Sequence, residues 1–441
     1  MKIFYIFIIL IFFNNCSFDN KTGIWDNENT VSKEENRIFK DFKTLSTSNE
    51  SFRESIELKK NFNFFIPNKI KNQEWNDIFY SESNNYKNFS YNGLNEIFYR
   101  SKKITRYSIR HNILLENDNT IIVDSKGNII IFSLENKKIL SKFNFYKNQF
   151  KNIKKKLNYI IENEIIYISD NIGYLYAYDY KKKIVIWAKN FKIPFRSNLK
   201  IYKNKIILAD QNNNLLFIDK NSGEILKKIP TEETLVKNDF ENNLSLNANS
   251  VFFLNTYGSL YAIDNERMRI NWFLNLNRSI DINPSNLFSG KQIISDGNII
   301  VVSTEDDTYV INANRGSIIF KKKFSTKLKP LIIENYLFVA TKNNFLVCMD
   351  LKTGNLIYSY DIKQKIANFT KTKKKEIILK DIIMANNKIL LFLENSYVLK
   401  LNVNGNLEQI NKLPSKMKTL PIFVNNFIYF LDKKNKLTII N

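Results

Sequence analysis

The acids with the most regular spacing in this chain are Asp179, Asp219, Asp264 and Asp350. Carboxylates set at intervals could hold a hard cation or serve as general acid and base, but either task needs them gathered at one place, and none sits in a calcium-loop pattern. Each instead ends a short apolar strand and opens a polar turn, as in Asp219-Lys220-Asn221-Ser222-Gly223 and Asp350-Leu351-Lys352-Thr353-Gly354. In such a turn the carboxylate accepts backbone N–H groups while glycine takes a positive φ. The four are therefore expected to be structural turn residues. His111 is the single histidine, so a metal site of several histidines is excluded within one chain, and a Ser-His-Asp triad would have to use it. The nearby Ser108 lacks a nucleophile-elbow context, and no Gly-rich phosphate loop is present. No catalytic residue, metal or cofactor is expected.

The elements that position these acids repeat. A short apolar strand, a polar turn and a second strand ending in Asp or Asn recur eight times, most clearly at 165–169 with 174–179, 206–209 with 215–219, and 251–254 with 260–264. From Asp179 the closing residues follow at steps of 40, 45, 48, 38, 52 and 39 positions, through Asp219, Asp264, Asn312, Asp350 and Asn402 to Asn441. Units of about 40 to 50 residues with several strands are propeller blades, not helical repeats. The fold class is all-β, an eight-bladed propeller of four-stranded antiparallel blades. Eight positions beyond four of the closing residues stand Trp187, Trp272, Phe320 and Tyr358, expected to pack between neighbouring sheets. The last copy stops at its third strand. The apolar stretch Phe62 to Ile66, ahead of Pro67, is expected to supply the fourth and fasten the ring.

Ahead of the repeats, Met1-Lys2 and the apolar run Ile3 to Phe13 read as a signal peptide, too short to span a bilayer. It ends at Asn14-Asn15-Cys16, which resembles a bacterial lipoprotein signal, although two asparagines stand where small residues are usual. The resemblance implies lipid attachment at Cys16, and Ser17, not Asp, is similar to the outer-membrane sorting pattern. The alternative is an ordinary secreted protein with an incidental cysteine. The expected organisation is 1–15 signal peptide, 16–60 lipidated tether and 61–441 propeller. Cys348, inside an apolar strand, is expected to be a small buried hydrophobe.

The net charge of +23 would by itself suggest a polyanion. Basic runs at 154–156, 181–183, 321–323 and 373–375 fall in different repeats, however, and read as solvated surface. Export argues against nucleic acid. A polyanion-binding module would need its basic residues to meet on one rim and its affinity to fall steeply with salt.

The copies Gly173-Tyr174-Leu175-Tyr176-Ala177-Tyr178-Asp179 with Trp187, and Gly258-Ser259-Leu260-Tyr261-Ala262-Ile263-Asp264 with Trp272, resemble the repeats of pyrroloquinoline-quinone-type propellers. Within that superfamily the order of leader, tether, closing strand, the segment beginning at Trp75, and repeats is similar to the BamB family of outer-membrane assembly lipoproteins. The resemblance implies a non-catalytic periplasmic scaffold that is held to the membrane by its lipid alone. It also implies binding to BamA and other assembly-machinery subunits, and help for unfolded outer-membrane proteins. BamA contacts in the family use loops of the early-middle blades, which here points to 231–240, with Leu235 and Val236 as apolar candidates. The rival class is a quinone-dependent dehydrogenase, whose chemistry needs a bound quinone, a calcium site and, in many members, adjacent cysteines. The last are absent here.

Overall fold

Two of the strands in every repeat carry nearly continuous apolar runs, and such runs demand cover on both faces. The computed structural model describes residues 16–18, 25–27, 54–93, 95–147, 150, 152–233, 243–276 and 293–441. It divides into two units, 1–48 and 49–441. In the first, Cys16–Phe18 pairs antiparallel with Trp25–Asn27.

In the second unit the apolar runs are the two middle strands of eight antiparallel sheets. The blades span 114–144, 157–190, 200–229, 243–275, 294–322, 331–361 and 379–412, and the eighth is built on 422–440. Each runs from an inner strand A at the axis to an outer strand D. Middle strands such as Ser250–Leu254 are buried throughout, because neighbouring blades sandwich them. Clusters such as Leu208, Leu216 and Ile218 with Leu175 and Tyr167 join successive sheets. Outer strands such as Ile184–Asn190 are exposed or half-buried at every position.

The up-and-down order gives the propeller two unlike ends. A–B and C–D connections form a turn end, while B–C hairpins and D–A connections form a loop end. At the turn end Asp219 Oδ1 accepts the Asn221 and Ser222 N–H groups at 3.0 and 2.8 Å. Asp350, Asp264 and Asp179 do the same for Lys352 and Thr353, Glu266 and Arg267, and Lys181 and Lys182. The glycine of such a turn has a second duty. A Cβ on Gly316 would lie 2.6 Å from Trp272 of the preceding blade, and one on Gly223 would lie 2.6 Å from Trp187. Phe320 covers Gly354 in the same way. The outer-strand aromatics thus stack on the next blade's turn, and Trp187 and Trp272 donate from Nε1 to Lys220 O and Ala313 O there. Where the preceding blade offers Ser141 or Lys227 instead of an aromatic, the equivalent turn positions are Lys183 and Met268, held at φ 62° and 51°.

One expectation needs correction. The fourth strand of the eighth blade is Ile97–Lys103, antiparallel to Lys436–Ile440, with Ile97 opposite Ile440 and Lys103 opposite Lys436. Phe62 to Ile66 forms no strand. Phe64 packs edge-on against Tyr336 at 4.9 Å, and the Phe65 N–H donates to the Tyr336 hydroxyl. An outer strand is half-solvated and so carries polar residues, which is why Arg100, Lys102 and Lys103 masked the true closer while a more apolar stretch drew attention. Arg100 pairs with Asp432 across the closure.

Candidate functional site

The axis of a propeller is where the inner strands of all blades converge, and here the chain fills it with itself. Residues 72–92 make one circuit, meeting the blades in order. Asn72 bonds Phe423 O and Asn425 N of blade eight, and Trp75 exchanges both backbone bonds with Leu115 of blade one. Asn76 O accepts from Ile161 of blade two, Glu82 O from Leu246 of blade four, and Ser83 O from Ser295 of blade five. Asn85 brackets Ile332 of blade six through both amide atoms, and Asn88–Phe89 runs parallel to Met384–Ala385 of blade seven. Trp75, Tyr86 and Phe89 are buried in the resulting core. The segment has no regular structure of its own, so its backbone groups are satisfied by the blades.

Blade three contributes a charge to this plug. Lys200, fully buried, donates from Nζ to Asp77 Oδ2, Ser81 O and Asn84 Oδ1 at 2.7, 2.7 and 2.6 Å. Lys329 of the connection before blade six reaches Asn84 O at 2.6 Å and lies 3.3 Å from the Tyr86 ring centre. The Tyr86 hydroxyl donates to Asp381 of blade seven at 3.1 Å. Burial pushes the Lys200 and Lys329 ammonium groups down and the Asp381 carboxyl up. A lysine with a lowered pKa could in principle act as a nucleophile. Here Lys200 spends all three of its donors holding the plug, and its partners are turn backbone and side chains, so the cluster is a positioning device.

The residues singled out from sequence fall elsewhere. Asp179, Asp219, Asp264 and Asp350 sit apart at four turns of the turn end and are not brought together. His111 is half-buried near the loop end with its Nε2 shielded from water, edge-on to Tyr159 at 6.3 Å, and desolvation together with Arg110 pushes its pKa down to about 3. Cys348 is a buried free thiol on a middle strand of blade six. Leu235 and Val236 lie outside the described residues, and the side chain of Cys16 is likewise not described. The stem leading to Leu235 is well tied: Glu232 accepts from Ser259 Oγ and Tyr261 Oη at 2.7 and 2.8 Å, and Thr231 donates to Asn213 O. Among the described residues no group of three or more His, Cys, Asp or Glu could hold a metal ion.

Periodicity could not have found the axial cluster, but a charge inside an apolar strand could. Asp381 interrupts Leu379–Ala385, and Lys200 opens an inner strand. The loop end also carries two clefts with basic walls. One, of about 240 Å³, is lined by Arg110, Lys156 and Arg196 with Asn158, Asn171 and Gln211. The other is lined by Lys103, Arg106 and Lys142. Two clefts among the described residues of the turn end include Glu82, Asp296 and Glu334 beside Lys87.

These features define an eight-bladed propeller of quinone-type repeats whose axis is closed by its own chain. The family described as outer membrane protein assembly factor BamB matches residues 194–322 and 279–441, more than half of the sequence, and the chain belongs to that family. A search of curated sequences found no match. Among solved structures, BamB from Moraxella catarrhalis superposes with a TM-score of 0.58 at 15% identity, covering 75% of this chain and 95% of that one. The quinohemoprotein alcohol dehydrogenase from Comamonas testosteroni gives 0.59 at 8% identity, with 85% and 81% covered. The computationally designed Ika8 protein gives 0.55 at 10% identity, with 77% and 99% covered. At these identities the likenesses carry the fold alone.

Proposed function

We propose that the chain is a non-catalytic scaffold of outer-membrane β-barrel assembly. It is lipid-anchored through Cys16 on the periplasmic face of the outer membrane, and it binds BamA and other subunits while assisting unfolded outer-membrane proteins. The observation that carries this reading over the dehydrogenase one is the plug. A redox group at the axis would need space that Trp75, Tyr86, Phe89 and the Lys200 cluster occupy. What remains available for recognition is surface, and the loop end supplies it in irregular connections, including the tied stem at Thr231 and Glu232. Its basic clefts suit a partner of complementary charge, which accelerates docking and sets orientation.

The test is capture from detergent-solubilised membranes with mass spectrometry of the partners, using the parent chain and a Leu235→Asp/Val236→Asp variant. BamA should be recovered with the parent and depleted with the variant. Unaltered recovery removes Leu235 and Val236 from the contact. No BamA with the parent, together with quinone absorbance after incubation with quinone and calcium, would replace the scaffold with the enzyme.

A further inference from the structure

The basic run at 373–375 belongs to an insertion that the repeat does not require. Between blades six and seven the chain forms a helix, Ile362–Thr370, the one α-helix among the described residues. Asp361 caps it by accepting the Gln364 N–H, Lys371 ends it in the left-handed conformation, and Ile362 and Ala367 bury its inner face. From Ile362 to Ile378 there are six lysines and one glutamate. Lys363 is paired with Glu376 and Lys374 with Asp361, while Lys371, Lys373 and Lys375 are exposed. Flanking them are two apolar side chains facing water, Phe369 at 48% exposure and Ile378 at 60%. Lysines interleaved with an exposed aromatic and an aliphatic side chain are the composition of a segment that lies on an anionic bilayer surface.

A second, independent observation says what would cover this patch. The N-terminal segment joins the propeller beside it: Ile56 pairs with Ser359 on the outer edge of blade six, and Ser55 Oγ receives the Asp361 N–H, the residue that caps the helix. The tether therefore departs from the loop end next to the lysine run.

We propose that the helix Ile362–Thr370 and the segment 371–378 form a contact site for anionic phospholipid headgroups, with Lys371, Lys373 and Lys375 meeting phosphate and Phe369 and Ile378 entering the headgroup layer. The placement of the patch at the root of the tether rests on the lipid-anchor reading; binding by the polypeptide does not. The contact adds to the anchor, and it turns the loop end of blades six and seven toward the leaflet. Blades two and three, four positions round the ring, then stay free for protein partners.

The experiment uses the full chain carrying Cys16→Ser, so that no acyl chain contributes, in flotation with vesicles of phosphatidylglycerol and phosphatidylethanolamine or of phosphatidylcholine alone. The parent should float with the anionic vesicles only. Lys371→Gln/Lys373→Gln/Lys375→Gln should weaken binding at least about tenfold, given the worth of each cation near such a surface. Phe369→Ser/Ile378→Ser should weaken it as well. Lys181→Gln/Lys182→Gln/Lys183→Gln, an equal loss of charge at the turn end, should bind as the parent does. An equal fall in both lysine variants would show diffuse attraction and overturn the site, as would no binding by the parent. Loss of BamA capture in the 371/373/375 variant without any vesicle binding would assign the patch to protein. Mass spectrometry of the native N-terminal peptide tests acylation of Cys16 separately, so failure of the anchor and failure of the patch can be told apart.

Discussion

The hairpins within the blades and the D–A connections between them solve the same connection problem in opposite ways. The hairpins are tight at both ends: Asp or Asn binds the backbone of its own turn in C–D links such as those at Asp219, Asp264, Asn312 and Asp350, and in B–C links such as those at Asp124, Asp170 and Asp210. The D–A links, all at the loop end, vary in length and hold a capped helix, a stem tied by Glu232 and clefts walled by Arg and Lys. Recurrence therefore marks the residues that build the ring, and the irregular D–A connections are where the proposed recognition surface lies. The regular carboxylates, the obvious candidates for chemistry, prove to be the most local of structural parts.

Five substitutions sharpen or break that contrast. The largest effect is expected at the axis, where Lys200→Met leaves Asp77 buried without its cation. A loss of about 3–5 kcal/mol should appear as a lowered urea midpoint, and a loss below about 1 kcal/mol would mean the plug does not hold the blades together. Next is the turn end. Gly316→Ala places a Cβ against Trp272 at φ 70°, costing about 2–3 kcal/mol, whereas Met268→Gly, at a turn with no aromatic above it, should shift stability by under about 1 kcal/mol. Equal costs at the two positions would show that only the backbone matters.

The third effect depends on pH. Folded His111 stays neutral down to about 3, while an unfolded chain protonates it near 6.5. The unfolded state binds more protons between those values, so this contribution is complete above about pH 6.5 and is lost as pH falls. At pH 5 the loss is about 2 kcal/mol. Urea titrations at pH 7 and pH 5 should differ by that much less in His111→Gln than in the parent, and an unchanged difference would place His111 in contact with water. The smallest effect belongs to the turn-end surface. Lys181→Gln removes an exposed pair with Glu164 and should leave the melting temperature unmoved.

Much of the ring was legible because strands B and C are buried on both sides and so read as apolar runs with Asp or Asn at fixed steps. The outer strands were not, since exposure dilutes their pattern; Ile97–Lys103 was missed and Phe62 to Ile66 chosen in its place. The plug was invisible to periodicity because residues 72–92 take their hydrogen bonds from eight different blades. Its partners did leave traces, in Asp381 within Leu379–Ala385 and Lys200 at the head of an inner strand. The pairing of Trp187 with Gly223 and Trp272 with Gly316, against Lys227 with Met268, was also present in the residues. It joins one repeat to the next, so reading the repeats singly concealed it. Basic residues do meet at the loop end, although no single basic run revealed it, because Arg110, Lys156 and Arg196 come from three connections.

The proposed scaffold role requires that the loop end meet the assembly machinery. A photo-crosslinking amino acid placed in cells at the exposed positions Lys154 and Lys192 of the loop end, and at Asn221 and Asn314 of the turn end, tests it directly. Adducts containing BamA from the first pair and none from the second are predicted. BamA adducts from Asn221 or Asn314 alone, or from no position, would contradict it.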